Sequence, residues 1–211
     1  MKKSVYILGY SGHSYGVIDA FLSNNINVSG YFDIKEAINN PYNINYLGHE
    51  NELPLTEIVK NNFVFPCVGS NKLRKTLSAL FSKANLNETS IVHKNAYVSN
   101  NSSIGKSTVV CNGALINPNC VIGNFSIINT GAIIEHDCLI DDFVHIASGA
   151  VLAGNVKVKE MSFIGANATI KQGVKIGRNV LIGAGSVVLN DVPDNSVFVG
   201  NPAKYLKENV Y

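Results

Sequence analysis

The sequence predicts an α/β unit in about the first ninety residues, followed by a solenoid of short parallel strands. Two observations support this division. From residue 98 onward an aliphatic side chain recurs at every sixth position, for 16 positions without an insertion. Before that point there is no repeat, and a short apolar strand, a glycine-containing loop and a helical pattern follow one another, which is the order of a βαβ unit.

The glycine-containing loop and the acid that follows it predict a nucleotide site. The first strand, residues 4–8, runs into Gly9, Ser11, Gly12 and His13, and a second strand over residues 26–32 ends at Asp33. Phosphates bind at the helix N-terminus in such units. The loop reads G-x-S-G-H and not G-x-G-x-x-G, so a dinucleotide is not implied, and a simple turn without a ligand remains an alternative.

A third strand, over residues 62–68, ends in the motif V-G-x-N-x-x-R. Gly69 would let a ligand approach the backbone, and Asn71 follows it at the start of a predicted helix. Arg74 has two interpretations: it contacts a phosphate, or it is a solvated helix residue.

The period of six fits neither a helix nor a long alternating strand. It fits three flat strands per coil of 18 residues, so 90 residues predict five coils stacked at about 4.8 Å. Two residues before each of the last 15 aliphatic positions lies a small or β-branched residue. Glycines follow some of the aliphatic positions, where we expect turns with positive φ: Gly105, Gly123, Gly165, Gly177 and Gly183.

Composition narrows the class of protein. Charged residues make up 15%, hydrophobic residues 46%, and the net charge is +2, so nothing favours binding to nucleic acid or to an anionic membrane. No apolar run approaches the roughly 20 residues of a membrane span. Four cysteines without a C-x-x-C pair indicate a cytoplasmic protein with reduced thiols. Cys120 and Cys138 are one coil apart, which permits a disulfide by distance, although buried thiols fit the cytoplasm better.

One short motif within the repeat carries candidate chemistry. His136 lies between Glu135 and Asp137. An imidazole can accept a proton near neutral pH, and an adjacent carboxylate can orient it. His145 lies half a coil further on. Gly154 lies one full coil beyond His136, so Gly154 is predicted to stack against His136.

These motifs together resemble the NeuD/PglD-like family of sugar acyltransferases, and G-N-P-A-K at residues 200–204 resembles the end of many hexapeptide-repeat enzymes. The resemblance implies a Rossmann-like α/β domain over residues 1–88, a left-handed parallel β-helix over residues 89–192, and a closing segment over residues 193–211. It implies transfer of an acetyl group from acetyl-CoA, without a metal, to the amine of a nucleotide-linked 4-amino sugar for bacterial surface glycans. O-acetylation of a sialic-acid-type sugar or another small hydroxyl acceptor is the alternative, and the base (UDP, dTDP or GDP) stays open.

The resemblance also implies roles for individual residues. His136 would be the general base and Asp137 its partner, although the family pattern has Glu there; Glu135 is the second candidate for that partner. His145 and the Gly154 N–H would contact acetyl-CoA, the latter as an oxyanion donor. The nucleotide sugar would be bound by Gly9, Ser11, Gly12, His13, Asp33, Gly69, Asn71 and Asn129.

The family forms homotrimers with acetyl-CoA between neighbours, which implies the same assembly here. Outward apolar residues predict an exposed patch that favours association: Ile127, Ile133, Leu139, Phe143, Val151 and Phe163. Two other classes are less well supported. A zinc hydratase needs closely grouped histidines, typically a pair five residues apart, whereas His136 and His145 are nine apart. A non-catalytic binding scaffold would not need the E-H-D motif.

Overall fold

The computed structural model describes residues 4–210, and its first part is a four-stranded parallel sheet in the order β2-β1-β3-β4. The strands are β1 (Val5–Leu8), β2 (Val28–Phe32), β3 (Phe63–Pro66) and β4 (Asn87–Glu88), and the helices are α1 (Gly12–Ser23), α2 (Leu55–Val59) and α3 (Asn71–Lys83). After β1 the chain adds β2 on one side of that strand and then β3 on the other side. That arrangement opens a crevice at the carboxyl ends of the strands, where ligands bind in such sheets.

The second part is a triangular solenoid whose coils place one two-residue strand on each of three faces. The first face lies under the α/β part and is called the covered face. It carries the two-residue strands β5 (Ile91–Val92), β8 (Val109–Val110), β11 (Ile127–Ile128), β14 (His145–Ile146), β17 (Phe163–Ile164) and β20 (Leu181–Ile182), and the longer strands β22 (Ser196–Val199) and β23 (Lys204–Glu208). The second face carries β6 (Tyr97–Val98), β9 (Leu115–Ile116), β12 (Ile133–Ile134), β15 (Val151–Leu152), β18 (Thr169–Ile170) and β21 (Val187–Val188). The third face carries β7 (Ser103–Ile104), β10 (Val121–Ile122), β13 (Leu139–Ile140), β16 (Lys157–Val158) and β19 (Lys175–Ile176).

The period of six is confirmed, because the second residue of each two-residue strand points into the solenoid and the register between coils is 18 residues. Ile128 pairs with Ile146, for example, and both are fully buried. The solenoid is longer than the predicted five coils. Strands β5 and β22 extend the covered face at its two ends, which makes about six coils.

The expected reason for the repeat glycines is wrong. Gly105 and Gly123 do not have positive φ; a Cβ on either would lie 2.6 Å or 2.5 Å from the backbone of the next coil, so these glycines permit close stacking. The left-handed positions fall elsewhere in the corners. Asn119, Asp137 and Asn155 adopt φ of 64°, 62° and 58° at one vertex, a conformation that Asn and Asp tolerate better than other side chains.

The α/β part packs on the covered face, and this overturns half of the predicted apolar patch. Ile127 is 1% exposed, while Phe143 packs against the α/β core and Phe163 contacts the His145 ring. The outward side chains of Ile133, Leu139 and Val151 remain partly exposed on the other two faces, together with further apolar residues of those faces: Tyr97, Leu115 and Val121. The antiparallel pair β22 and β23 closes the end of the solenoid.

Candidate active site

His136 lies in the turn between β12 and β13, at the vertex where the second and third faces meet. Its Nδ1 is 2.8 Å from Asp137 Oδ2, and its side chain is 55% exposed. Asn119, one coil earlier, donates from Nδ2 to Asp137 Oδ1 at 3.2 Å. The shorter Asp side chain therefore reaches His136, and the left-handed backbone at this corner favours Asp over Glu. Glu135 makes no side-chain hydrogen bond to His136.

This hydrogen bond changes the titration of both partners. It raises the pKa of His136, with the charges of Asp137 and Glu135 acting in the same direction and desolvation opposing them. It also lowers the pKa of Asp137, as does the hydrogen bond from Asn119. In the neutral ring, the carboxylate holds the proton on Nδ1, which leaves the lone pair on Nε2 to accept a proton from a substrate.

The ring of His136 packs directly over Gly154, as the 18-residue spacing predicts. A Cβ at Gly154 would lie 2.6 Å from both Cε1 and Nε2 of the imidazole. The Gly154 carbonyl accepts from Gly173 N at 3.0 Å, whereas no acceptor in residues 4–210 lies within hydrogen-bonding distance of the Gly154 N–H. An unpaired N–H on the glycine that packs against the imidazole is available to act as an oxyanion donor.

The two stacked cysteines beneath this vertex are buried free thiols. Cys120 Sγ donates to the carbonyl of Glu135 at 3.0 Å, and Cys138 Sγ donates to the carbonyl of Ala153 at 3.3 Å. The predicted alternative of a disulfide is therefore absent, and the thiols satisfy carbonyls of the next coil.

The predicted nucleotide loop lines a cavity of about 310 Å³ at the carboxyl ends of β1, β2 and β3. Gly9 has φ +95°, and a Cβ there would lie 2.5 Å from Val68, so glycine is required. Asp33 accepts from Tyr10 N at 2.8 Å and from Ile34 N at 2.7 Å, which ties the two strand ends together. Gly9, Ser11 and Asp33 lie along this cavity, and Gly12 begins α1 beside it.

A second cluster joins this loop to the covered face of the solenoid. His145 Nδ1 donates to the Gly69 carbonyl at 3.3 Å, and its Nε2 accepts from Asn129 Nδ2 at 3.3 Å. The His13 ring lies 5.9 Å from that of His145, and Asn71 Nδ2 donates to the Met161 carbonyl at 2.8 Å. Both ring nitrogens of His145 thus have protein partners. These contacts support a structural role for His145 in place of a contact with acetyl-CoA.

Arg74 holds this cluster in place, and both sequence-based interpretations of it are wrong. It is 1% exposed, and its guanidinium donates to five backbone carbonyls and one side-chain amide oxygen: those of Phe125, Val68, Gly69, Phe143, Val144 and Asn71. With every donor engaged in the protein, the guanidinium is a bridge between α3 and the solenoid. Burial lowers its pKa to about 9, so it stays charged at neutral pH.

The pKa values of the two buried histidines shift in the direction opposite to that of His136. Desolvation, together with the charge of Arg74, lowers the pKa of His13 to about 4 and that of His145 to about 3. Both rings are therefore neutral at physiological pH. His13 Nε2 is buried without a hydrogen-bond partner among the described residues.

The structure brings the predicted residues together in two separate groups. Gly9, Ser11, Gly12, His13, Asp33, Gly69, Asn71, Asn129 and His145 lie in or against the α/β part on the covered face. His136, Asp137 and Gly154 lie at the vertex between the second and third faces, which is the vertex opposite the covered face. Sequence reasoning missed Asn119, which counting one coil back from Asp137 would have found, and it missed the bridging role of Arg74, for which the sequence holds no signal.

Two negative findings apply to residues 4–210. No helix there is long and apolar enough to cross a bilayer. No group of three or more His, Cys, Asp or Glu side chains there is arranged to hold a metal ion.

Comparison with known proteins agrees with this architecture. The PglD N-terminal domain family matches residues 4–80, and the bacterial transferase hexapeptide (six repeats) family matches residues 155–190. PerB from Caulobacter crescentus, solved in complex with CoA and GDP-perosamine, is 31% identical with a TM-score of 0.92, over 98% of this chain and 99% of that chain. The acetyltransferase domain of PglB from Neisseria gonorrhoeae, in complex with acetyl coenzyme A, is 28% identical with a TM-score of 0.88, over 98% and 100%.

WeeI from Acinetobacter baumannii, at 24% identity and a TM-score of 0.88 over 97% of this chain and 100% of that chain, shares the fold. Comparison with curated protein sequences gave no match. The resemblance predicted from the motifs is confirmed, since identity of 31% extends over nearly the whole of both PerB and this chain. The chain belongs to the NeuD/PglD-like family of hexapeptide-repeat sugar acyltransferases.

Proposed function

We propose that this protein is a cytoplasmic homotrimer that transfers the acetyl group of acetyl-CoA to the amine of a nucleotide-linked 4-amino sugar, for bacterial surface glycan biosynthesis. The observation that carries the proposal is His136, oriented by Asp137 and packed over Gly154, whose N–H has no acceptor among the described residues. Two related structures support the proposal. PerB was solved with CoA and GDP-perosamine, a nucleotide-linked sugar, and the acetyltransferase domain of PglB was solved with acetyl coenzyme A.

The chemistry assigned to these groups is a single acyl transfer. The amine nitrogen forms a bond to the thioester carbon while His136 Nε2 accepts the proton that the nitrogen loses. The negative charge that develops on the carbonyl oxygen would be stabilised by the Gly154 N–H. When the C–S bond breaks, the imidazolium returns the proton to the leaving thiolate, which gives free CoA and the amide.

The trimer is proposed because one chain separates the two halves of the site. The nucleotide cavity lies over the covered face, and His136 lies at the opposite vertex. A second copy is needed to bring a His136 to the sugar held by the first. The two faces that meet at this vertex also carry exposed apolar side chains, including Leu115 and Leu139, each 38% exposed, and Val121, 49% exposed. A cyclic assembly that buries these faces would place three such sites between neighbours.

The direct test is an acetyl-transfer screen against nucleotide-linked amino sugars, with the product mass and the release of CoA thiol as readouts. His136→Ala should lower kcat by ~10²–10⁴-fold, as expected for loss of a general base. Because the side chain is exposed, the melting temperature should hardly change. Turnover by the variant at the wild-type rate with saturating substrates would refute the assignment of the base.

A mixing experiment tests the shared site. His136→Ala lacks the base and Gly12→Val blocks the nucleotide loop, so each homotrimer should have little activity. Random mixed trimers should recover activity at about one quarter of the sites, because base and loop then come from different chains independently. If base and loop came from the same chain, no site in the mixture would hold both and no activity would return.

A further inference from the structure

The turn over residues 49–52 lies beside Asp33 at the mouth of the nucleotide cavity, and the proposed function leaves it without a role. The chain reaches it by running along β2, where Tyr31 N donates to Asn45 O at 2.9 Å and Leu47 N donates to Tyr31 O at 3.0 Å. Gly30 allows this approach, because a Cβ there would lie 2.5 Å from Leu47. Asp33 N then donates to Gly48 O at 3.2 Å, which fixes the turn next to the cavity.

Two side chains of this turn lack hydrogen-bond partners although they are largely buried. The Glu50 side chain is 17% exposed, and the nearest basic atom to its carboxylate is His49 Nε2 at 3.9 Å. His49 Nδ1 is buried with no hydrogen-bond partner among the described residues. Both residues line the cavity. The buried His49 Nδ1 is costly unless a ligand or a water completes its hydrogen bond. The Glu50 carboxylate still reaches the cavity with no protein donor on either oxygen, so it is free to accept hydrogen bonds from a ligand there.

The other carboxylate of the cavity is already engaged. Asp33 accepts backbone N–H groups on both of its oxygens, from Tyr10 and from Ile34. Glu50 is therefore the carboxylate of the cavity that remains to accept hydrogen bonds from a ligand. Its two oxygens offer two adjacent acceptors, and the neighbouring imidazole of His49 offers either a donor or an acceptor.

Among the common bases, guanine matches two adjacent acceptors. Its N1–H and N2–H₂ are neighbouring donors that a carboxylate can accept together, and its O6 accepts from a neutral imidazole N–H. Uracil and thymine present one N–H between two carbonyl oxygens, which places an acceptor against Glu50. Adenine and cytosine each present one exocyclic donor beside a ring acceptor. The arrangement of donors and acceptors therefore discriminates among the bases.

We infer that this cavity selects a guanine nucleotide and that Glu50, supported by His49, is the residue that reads the base. This inference rests on the proposed function for the sugar and the acetyl transfer, and it adds the identity of the nucleotide. Binding of nucleoside diphosphates tests it without any turnover, so its failure can be distinguished from failure of the proposed enzyme activity.

The experiment measures the affinity of the intact protein for GDP, IDP, UDP, dTDP and ADP by calorimetry. GDP should bind at least ~10²-fold more tightly than UDP, dTDP or ADP, and IDP, which lacks the N2 amino group, should bind ~10-fold more weakly than GDP. Glu50→Gln replaces one acceptor oxygen by a donor and should weaken GDP by ~10²-fold while leaving the weak binding of UDP unchanged. The matched control is Glu52→Gln, an exposed glutamate of the same turn, which should bind GDP like the wild type.

The base preference of the wild type keeps the test decisive even if a variant folds poorly. UDP or dTDP binding as tightly as GDP would overturn the inference, and so would a folded Glu50→Gln protein with unchanged affinity for GDP. A transferase that acetylates a UDP- or dTDP-linked amino sugar in preference to the GDP-linked one would keep the proposed function and refute this inference. Selective GDP binding without acetyl transfer to any nucleotide sugar would support this inference and refute the proposed function.

Discussion

Gly154→Ala is a sharp test of the vertex geometry because the substitution keeps the backbone N–H and adds one methyl group. In the structure that methyl carbon would lie 2.6 Å from His136 Cε1 and Nε2 and 3.2 Å from Nδ1. Ordinary van der Waals contact begins near 3.4 Å, so the ring must retreat by about 0.8 Å. The backbone at the vertex is fixed by hydrogen bonds between coils, whereas the exposed ring is free to move.

The size of the effect follows from that displacement. A misplacement of about 1 Å costs roughly 10²-fold in rate when a catalytic group must meet its substrate within hydrogen-bonding distance. Rotating the ring also stretches its 2.8 Å hydrogen bond to Asp137, which holds the tautomer and raises the pKa of His136. We therefore expect kcat to fall by ~10²–10³-fold, with the acid limb of the pH profile moved to lower pH.

The assay is steady-state thiol release from acetyl-CoA at saturating sugar nucleotide, repeated across pH, with thermal unfolding as the check on folding. Gly16→Ala is the matched control, since it adds the same methyl group where no atom outside its own helical turn lies within 4 Å. The control should keep the wild-type rate. A folded Gly154→Ala protein with wild-type kcat and an unchanged pH profile would show that His136 does not act from the position seen here.

Three further predictions concern Asp137, Arg74 and Gly12. Asp137→Asn should lower kcat by ~10²-fold or more, and because the carboxylate raises the pKa of His136, its loss should move the acid limb of kcat/KM to lower pH; an unmoved limb would exclude the pair. Arg74→Met leaves several buried carbonyls without donors and should cost ~3–5 kcal/mol in urea unfolding, whereas a loss below about 1 kcal/mol would contradict the bridge. Gly12→Val should raise KM for the sugar nucleotide far more than for acetyl-CoA, since its Cβ meets no protein atom outside its own helical turn within 4 Å and would project toward a ligand at the loop. Equal effects on both substrates would place the nucleotide elsewhere.

The solenoid was predictable because the interior of each coil packs only on the neighbouring coils along one axis. Each inward residue, such as Ile128 or Ile146, pairs with its counterparts 18 residues away and packs within its own and the adjacent coils, so the period in the sequence is the period in the structure. The stacking of Gly154 on His136 followed from the same count. The roles of Gly105 and Gly123 could not be predicted in this way. A close approach of two backbones and a positive φ both select glycine, and only the structure distinguishes the two causes.

The covered face was not predictable for a different reason. An outward apolar residue such as Ile127 reads the same whether solvent, another domain or another chain lies over it. Arg74 shows the same limit, since a helix pattern cannot reveal that a guanidinium will be enclosed by carbonyls from a distant part of the chain. Contacts between the two parts of the molecule depend on how they dock, which no local periodicity encodes.

The E-H-D motif occurs once in a monotonous repeat because the coil constrains only some of its positions. The inward aliphatic and small residues make the core. At this vertex the left-handed corner position holds Asn119, Asp137, Asn155 and Gly173 in successive coils, all residue types that tolerate positive φ well. Asp137 meets that backbone requirement and adds a carboxylate, while His136 beside it points outward and contributes nothing to the core. The next coil then needs only a glycine to make room for the ring. The chemistry proposed for His136 thus lies where the fold tolerates a change of side chain, so replacing His136 should remove activity while leaving stability nearly unchanged.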